Sequence, residues 1–365
     1  MRILLLGEYS NVHATLAKGL RQLGHEVVVV SNGDFWKDYP RDIDLSRGEH
    51  WYDDVSFLCK LMRTLPRLRG FDVVQLINPI FIELKAERLF ALYDYLRKNN
   101  RKVLLGAFGM DYYWVHECDT CKPLRYSDFN IGGEKRTNAD AEKERRDWMG
   151  TAKERLNKYI AEDCDGIIAG LYEYWACYHP LFPQKTRFIP YPIEPPTNTP
   201  TVSTGTPSIP RIFIGINKKR SEYKGTDIML KAAESVMRDH PGKMELVKAE
   251  SVPFNEYQRL MDGSDAILDQ LYSYTPSMNA LLAMSKGIIN IGGGEPENYE
   301  ILDEHQLRPI INVEPTYQSV REALINLIQH PEQMPELKRQ SIEYIHRHHH
   351  YLSVARRYLD FYASI

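Results

Sequence analysis

The strongest constraint on the fold is a repeated alternation of short apolar runs with longer stretches whose apolar residues recur at helical spacing. The first run, Arg2 to Gly7, precedes a helical pattern from about Val12 to Leu23, and Gly24 supplies a stop. The next run is uninterrupted from Val27 to Val30, as in a parallel strand buried on both faces. Further strands are predicted at 72–77, 102–106, 166–169 and 186–190, and helices at about 52–66, 82–98 and 140–162. This order predicts an open parallel sheet with helices on both faces.

A second series follows a change in composition. Residues 194–207 are rich in Pro, Thr and Ser and have no apolar period, which predicts a linker. Strand 211–215 then opens a series of helix 226–239, strand 244–248, helix 255–262, strand 265–268, helix 278–285 and strands 288–291 and 309–312. The remainder from about Tyr317 is mostly helical, with a break near Pro331. Two parallel-sheet domains predict a ligand cleft at the carboxyl ends of both sets of strands.

Composition narrows the class of protein. A chain of 365 residues is long enough for two domains that each bury a core. Its net charge of −3 gives no electrostatic reason to bind nucleic acid, so no nucleic-acid partner is expected. We expect neither a secretory leader nor a membrane-spanning segment. Five cysteines in a chain of this length are typical of reduced thiols, which predicts a cytoplasmic protein.

Residues 269–297 carry the clearest chemical pattern. A loop containing Ser277 leads into a helix from about Met278, and a short strand then runs into three glycines and Glu297. A loop-to-helix junction offers backbone N–H groups and a positive dipole end, which suit a phosphate. Gly293 and Gly294 allow a close backbone approach, and Glu297 can accept hydrogen bonds from a sugar hydroxyl. Together these features predict a site for a nucleotide-diphosphate-sugar.

The same stretch resembles the donor-binding half of GT-B fold glycosyltransferases, particularly the retaining family 4. The residues that fit are Ala283, Met284, Gly287, Gly293, Gly294, Pro296 and Glu297. The family spaces two glutamates eight positions apart, where this chain has Tyr274 and Leu282. We therefore predict donor contacts through the backbone of residues 274–279, with side chains of Ser277 and Asn279 helping, Met278 at the helix start and Tyr274 against the sugar or diphosphate. Leu282 is expected to face the domain core.

Weaker fragments in matching order extend the resemblance over nearly the whole chain. They are residues 20–31, 187–194, 330–332 and 354–362. The resemblance implies two Rossmann-like parallel-sheet domains facing each other across a cleft. The predicted boundaries are an acceptor-side domain at 1–194, a linker at 195–210, a nucleotide-sugar-binding domain at 211–345 and a final helix at 346–365 that packs back on the first domain.

Two basic residues follow the first strand of the second series. The resemblance implies that Lys224 and Arg220 neutralise the donor diphosphate, because the departing group gains negative charge that fixed cations stabilise. The alternative is a solvated basic loop at residues 218–220, and Lys219 could take the role of Arg220.

On the first half of the chain, the loop after the first strand lacks the Gly-x-Gly-x-x-Gly spacing of a nicotinamide dehydrogenase. Ser10 and Asn11 in this loop are candidates for donor contact or for capping the first helix. Asp111 is the acceptor-side catalytic candidate, able to orient or deprotonate a sugar hydroxyl, with a loop cap as the alternative. Residues 112–114 offer an aromatic surface for the acceptor.

Metal binding is not expected. Cys118 and Cys121 form a single Cys-x-x-Cys pair beside His116, whereas a structural zinc site needs four ligands. The histidines at 346 and 348–350 are interpreted as a solvated helix start. No cofactor is expected, and the nucleotide-sugar is a substrate.

The resemblance thus implies a metal-independent hexosyltransferase that moves a sugar from a nucleotide-diphosphate donor to a carbohydrate or lipid-linked acceptor, in surface polysaccharide or glycoconjugate synthesis. The resemblance implies retention of anomeric configuration and allows weak peripheral contact with the cytoplasmic face of a membrane. Two alternatives stay open. One is a nucleotide-sugar 2-epimerase, which shares the fold. The other is a catalytically silent homologue acting as a binding subunit, motivated by the missing glutamates.

Overall fold

The computed structural model describes residues 1–48, 50–197, 206–217 and 221–365. The chain divides into two compact units. The first unit comprises residues 1–117, 143–192 and 351–365, and the second comprises 118–142 and 193–350. The chain therefore passes between the units at four points. Residues 118–142, which the predicted boundaries assign to the first domain, group with the second unit.

The strands of the first unit begin with β1 (Arg2–Leu6), β2 (Glu26–Ser31), β3 (Ile43–Asp44), β4 (Val73–Leu76) and β5 (Lys102–Ala107). The next two strands, β6 (Asn130–Ile131) and β7 (Glu134–Lys135), form a hairpin that belongs to the second unit. The first unit then continues with β8 (Gly166–Ala169) and β9 (Thr186–Phe188). The seven strands of the first unit form one parallel sheet in the order β3-β2-β1-β4-β5-β8-β9. Ile3, Leu4, Leu5 and Leu6 of β1, an interior strand, have no exposed surface. Full burial on both faces explains why these strands are continuous apolar runs.

The helices of the first unit are α1 (Val12–Gln22), α2 (Trp51–Thr64), α3 (Ala86–Asn99), α4 (Tyr112–Asp119), α5 (Ala139–Trp148), α6 (Ala152–Asp163) and α7 (Tyr172–Tyr178), although the ends of α4 and the start of α5 extend into residues 118–142. The single helix predicted at 140–162 is instead two. Gly150 has a φ of +73°, which interrupts helical geometry, and the Thr151 side chain then caps α6 by accepting from the Lys153 amide.

The second unit contains β10 (Arg211–Ile216), α8 (Ser221–Lys224), α9 (Thr226–Asp239), β11 (Glu245–Glu250), α10 (Phe254–Met261), β12 (Ala266–Leu268), α11 (Met278–Ser285), β13 (Ile289–Gly292), α12 (Pro296–Leu302) and β14 (Ile311–Asn312). Its parallel sheet has the order β11-β10-β12-β13-β14. Ile212 and Ile214 pack into one core cluster, while the intervening Phe213 packs into another. The period of two places one cluster on each face of the sheet.

The chain ends with α13 (Tyr317–Gln329), a short turn at Pro331–Gln333, α14 (Met334–Tyr344), a π-helical turn at Ile345–His349 and α15 (Tyr351–Ser364). The interpretation of the histidines as a solvated helix start is wrong, because His348 and His349 are each only 5% exposed. His348 packs beside Tyr344, and its Nε2 lies 2.7 Å from Glu304 Oε2. The last helix, α15, belongs to the first unit and packs along α1.

Candidate functional site

Two carboxylates stand where β13 runs into α12 in the second unit. Glu295 occupies the N-cap position of α12 with extended backbone, and Pro296 occupies the first helical position, where its missing N–H costs nothing. The two glycines before these carboxylates are needed for close packing within the second unit. A Cβ atom on Gly293 would lie 2.3 Å from the Ser273 carbonyl oxygen, and one on Gly294 would lie 2.6 Å from Ile310 Cγ2. Glycine is required here so that this segment can pass the loop after β12.

Arg125 holds both carboxylates. Its Nη1 donates to Glu297 Oε1, and its Nη2 lies 2.6 Å from Glu295 Oε2 and 3.2 Å from Glu297 Oε2. Burial alone would raise the pKa of Glu297, but the hydrogen bond and the charge of Arg125 hold it below its usual value. Glu297 is therefore an ionised acceptor, and its side chain remains 20% exposed.

Tyr274 stands at the position of the family's first glutamate and is only 1% exposed. Its hydroxyl accepts from the Arg125 amide at 2.6 Å, and its ring lies 4.8 Å from the ring of Tyr126. The Tyr126 hydroxyl donates in turn to Glu295 Oε1 at 2.6 Å. Burial raises the pKa of Tyr274 to about 12, so its hydroxyl stays protonated. The residue packs beneath Arg125 and leaves little surface for a ligand, in contrast to the predicted contact with a sugar or diphosphate.

The start of α11 presents backbone amides. Ser277 precedes the helix, but its hydroxyl donates to Asp269 Oδ2 at 2.6 Å and does not cap the first turn. Asn279 donates to Asp269 Oδ1 at 3.2 Å and to the Tyr257 hydroxyl at 2.7 Å. Asp269 thus fixes both side chains. Met278, the first helical residue, is half-buried.

Leu282, at the position of the family's second glutamate, packs against the core cluster around Phe213, as predicted. Lys224 is half-buried at the end of α8, and its carbonyl accepts from the Leu271 amide at 3.0 Å. The adjoining Gly225 has a φ of +74°, and a Cβ atom there would lie 2.6 Å from Leu271 Cβ. The Lys-Gly pair is therefore fixed against the loop after β12. Arg220 and Lys219 lie outside the described residues.

In the first unit, Ser10 and Asn11 both have left-handed backbone, with φ of 52° and 70°. Neither caps α1 through its side chain, contrary to the capping alternative. The Glu8 carboxylate instead accepts from the amides of His13 and Ala14, at 3.3 and 2.8 Å. Burial raises the pKa of Glu8 to about 8 despite these two hydrogen bonds. The Ser10 amide donates to Asp34 at 2.9 Å, which orders the loop.

Asp111 stands at the start of α4 and has no exposed surface. Its Oδ1 accepts from the Trp114 amide at 2.8 Å, and its Oδ2 accepts from the Tyr178 hydroxyl at 2.7 Å. Burial raises its pKa to about 7. Both oxygens are engaged within the fold, which is the geometry of the loop-cap alternative. The predicted aromatic acceptor surface at residues 112–114 is wrong, because all three side chains are buried.

Within the parts of the chain that the structure describes, no three His, Cys, Asp or Glu side chains are arranged to hold a metal ion. Cys118 is fully buried, while His116 Nδ1 lies 2.9 Å from the Glu117 carboxylate. Arg125, Tyr126, Tyr274, Glu295 and Glu297 form one group of converging titratable side chains, called here the Arg125 cluster. Sequence reasoning missed Arg125, Tyr126 and Asp269, and for the first two no local pattern links them to residues about 170 positions away.

Comparison with known proteins rests on structure alone. No family model matches the sequence, and no curated protein does. Sucrose-phosphate synthase from Thermosynechococcus elongatus superposes with a TM-score of 0.62 and 12% identity, covering 100% of this chain and 98% of that one. HepE from Anabaena, solved with UDP and glucose, superposes with a TM-score of 0.59 and 12% identity over the full length of both chains.

The chain has the GT-B fold. A putative UDP-N-acetylglucosamine 2-epimerase from Listeria monocytogenes also superposes, with a TM-score of 0.54, 10% identity and coverage of 98% of this chain and 94% of that one. The fold prediction is thereby confirmed: each unit is built on a parallel sheet with flanking helices, as the alternating sequence indicates. In the GT-B fold of this chain, the Arg125 cluster and the start of α11 both belong to the second unit.

Proposed function

We propose that this protein is a glycosyltransferase that moves a sugar from a nucleotide-diphosphate-sugar to a carbohydrate or lipid-linked acceptor. The observation that carries the proposal is the ionised, partly exposed Glu297 at the carboxyl edge of the second sheet. A carboxylate in this state accepts hydrogen bonds from the vicinal hydroxyls of a ribose. Sucrose-phosphate synthase and HepE, the second of them solved with UDP and glucose, have the same fold and support this assignment.

The diphosphate is assigned to the start of α11 and to Lys224. The first turn of α11 lacks a side-chain cap, so its amides and its positive dipole end suit an anion. Lys224 adds a fixed positive charge that stabilises the departing diphosphate. Charge neutralisation by these groups, without a metal, and retention of anomeric configuration are parts of the proposal. Proton NMR of the product's anomeric signal in the first minutes of reaction tests retention.

A panel of UDP-, ADP- and GDP-sugars tests the function. Slow hydrolysis of one donor, or transfer to added sugars, supports a transferase. Interconversion of the donor sugar at C2 indicates the epimerase, and binding without turnover indicates the silent homologue. Lys224→Ala should lower turnover about 10²-fold through the loss of one charge-stabilising group. Glu297→Ala should weaken donor binding by about 1.5–3 kcal/mol. An unchanged rate and affinity in both folded variants would remove this site from the reaction.

A membrane-facing acceptor is supported by the exposed side of α2 in the first unit. Val55, Leu58 and Met62 are 60%, 40% and 65% exposed and share one side of the helix. Exposed Arg63 and Arg67 follow at its carboxyl end. An apolar stripe beside long cationic side chains fits the surface of an anionic bilayer, where the apolar groups enter the interface and the guanidinium groups meet lipid headgroups. No helix in the described ranges is both long enough and apolar enough to span a bilayer.

Co-sedimentation with vesicles tests this surface. We expect binding to vesicles containing phosphatidylglycerol that falls with added salt, and weak binding to pure phosphatidylcholine. Met62→Glu should abolish it. Leu181→Glu is the matched control, because Leu181 is 48% exposed elsewhere in the first unit. Equal loss in both variants, or no binding by the natural protein, would contradict the proposal.

A further inference from the structure

Residues 118–142 precede the rest of the second unit by about fifty positions, yet they bind two of its loops. We call this segment the clasp. Beyond the contacts of Arg125 and Tyr126, the Tyr223 hydroxyl donates to Asp128 Oδ2 at 2.7 Å. Arg136 donates to the Glu222 carbonyl at 2.8 Å, and its guanidinium lies 3.5 Å from the ring centroid of Tyr272. The Arg125 end of the clasp therefore binds Glu295 and Glu297 at the start of α12, and the Arg136 end binds α8.

At one end of the clasp, the contacts of Arg125 fix both its side chain and its backbone. The guanidinium spans two carboxylates with three hydrogen bonds, and its carbon lies 4.9 Å from the Tyr274 ring centroid. Its backbone amide is also fixed, by the Tyr274 hydroxyl. A planar fork held at both ends allows one orientation of the carboxylates it binds. Glu297 has no other side-chain partner in the described hydrogen-bond network, so its orientation depends on Arg125.

We propose that Arg125 is a positioning residue of the donor site, which orients Glu297 toward the ribose of the bound nucleotide. This inference rests on the proposed function. An ionised carboxylate has about four lone-pair sites; on Glu297, Arg125 uses two and the Glu297 backbone amide uses a third, so the carboxylate can still accept one ribose hydroxyl. Arg125 can therefore keep its contacts with Glu297 when the nucleotide binds. The side chain at the position of the family's first glutamate, Tyr274, then supports the arginine from below and does not contact the donor.

The test measures the dissociation constants of UDP, ADP and GDP and of their 2′-deoxy forms by calorimetry. The readout is the ratio between the deoxy and ribo forms of whichever diphosphate binds, because a general loosening of the fold weakens both forms alike. The natural protein should prefer the ribo form by about tenfold, the value of one hydrogen bond to a charged group. Arg125→Ala should reduce the ratio to about one.

Arg136→Ala is the matched control, since it removes the other clasp arginine and leaves the Glu297 contacts in place. It should retain the tenfold ratio even if both affinities fall. Adding Arg125→Ala to Glu297→Ala should change the ratio no further. If Arg125→Ala does not fold, Arg125→Gln, which keeps one amide donor, should give an intermediate ratio.

Three outcomes would overturn the inference. A tenfold ratio in Arg125→Ala would show that Glu297 is oriented without it. Tighter nucleotide binding in Arg125→Ala would show that the side chain occupies the site. A ratio of one in the natural protein, with diphosphate binding intact, would place the ribose elsewhere. Failure of every diphosphate to bind the natural protein would defeat the proposed function itself, which is a distinguishable result.

Discussion

At the scale of single residues, the buried Glu304 is paired with side chains more than forty positions away. Glu304 shows the pattern outside the site. Its Oε2 lies 2.7 Å from His348 Nε2 and 3.0 Å from Arg347 Nη1, and its Oε1 accepts from the amides of Gln306 and Leu307. Burial alone would raise the pKa of Glu304, but these hydrogen bonds lower it to about 2. The carboxylate fixes the π-helical turn that precedes α15.

Glu304 should make stability depend on pH in acid. Its pKa in the folded chain lies below the ordinary value of 4.5, so its contribution is complete above about pH 4.5 and is lost as the pH falls toward 2. Glu304→Gln should lower the free energy of unfolding by about 3 kcal/mol at neutral pH, because His348 and Arg347 lose their charged partner. Urea denaturation between pH 3 and 7 measures both effects.

Glu300→Gln, on the exposed side of α12, provides the comparison and should leave the pH dependence unchanged. If Glu304→Gln retains the acid dependence of the natural protein, the dependence arises from another group.

At the scale of elements, the sequence predicted what local pattern encodes. Strands such as β2 and helices such as α9 follow from apolar runs and apolar period, and their bounds fall within a few residues of the expectation. The clasp could not be predicted, because its place depends on the contacts of Arg125 and Tyr126 with glutamates far along the chain. The cap of α1 was not predicted either, because it comes from Glu8 before the loop and not from Ser10 or Asn11.

Only part of the site was predicted, because contacts between distant residues leave no local pattern in the sequence. The segment around Glu297 has a recognisable spacing of glycine, proline and carboxylate. What the spacing does not encode is which backbone the glycines must approach. We expect Gly293→Ala to lower the free energy of unfolding by about 2 kcal/mol, because its Cβ atom would meet the Ser273 backbone. Chemical denaturation measures this cost.

Gly133→Ala is the matched substitution, since a Cβ atom there meets nothing within 4 Å. It should change stability by less than about 0.5 kcal/mol. Equal stability of the two variants would mean that the loop after β12 yields to the added methyl group.

At the scale of the whole molecule, the two ends of the chain are packed together in the first unit. Gly19 of α1 lies so close to α15 that a Cβ atom on it would be 2.8 Å from the Tyr351 carbonyl oxygen and 2.9 Å from Ala355 Cβ. The Tyr351 hydroxyl donates to Gln22, and Lys102 Nζ donates to the Tyr362 carbonyl at 2.8 Å. The last helix thus completes the unit that the first strand begins.

This contact reverses the usual effect of a helical substitution. Alanine in place of glycine inside a helix normally adds about 1 kcal/mol of stability. Gly19→Ala should instead lower the melting temperature, because the methyl group forces α1 and α15 apart. Differential scanning calorimetry checks the direction of the change, and a higher melting temperature would show that the two helices tolerate a wider separation.

The four passages of the chain between its two units also set an order of events during synthesis. The ribosome adds roughly ten residues per second. The clasp emerges well before the residues it binds, so it must wait roughly ten seconds or more for its partners. The second unit is complete once residue 350 has emerged, whereas the first unit lacks α15 until residue 365 has emerged. Of the two units, the one whose synthesis begins first is therefore completed last.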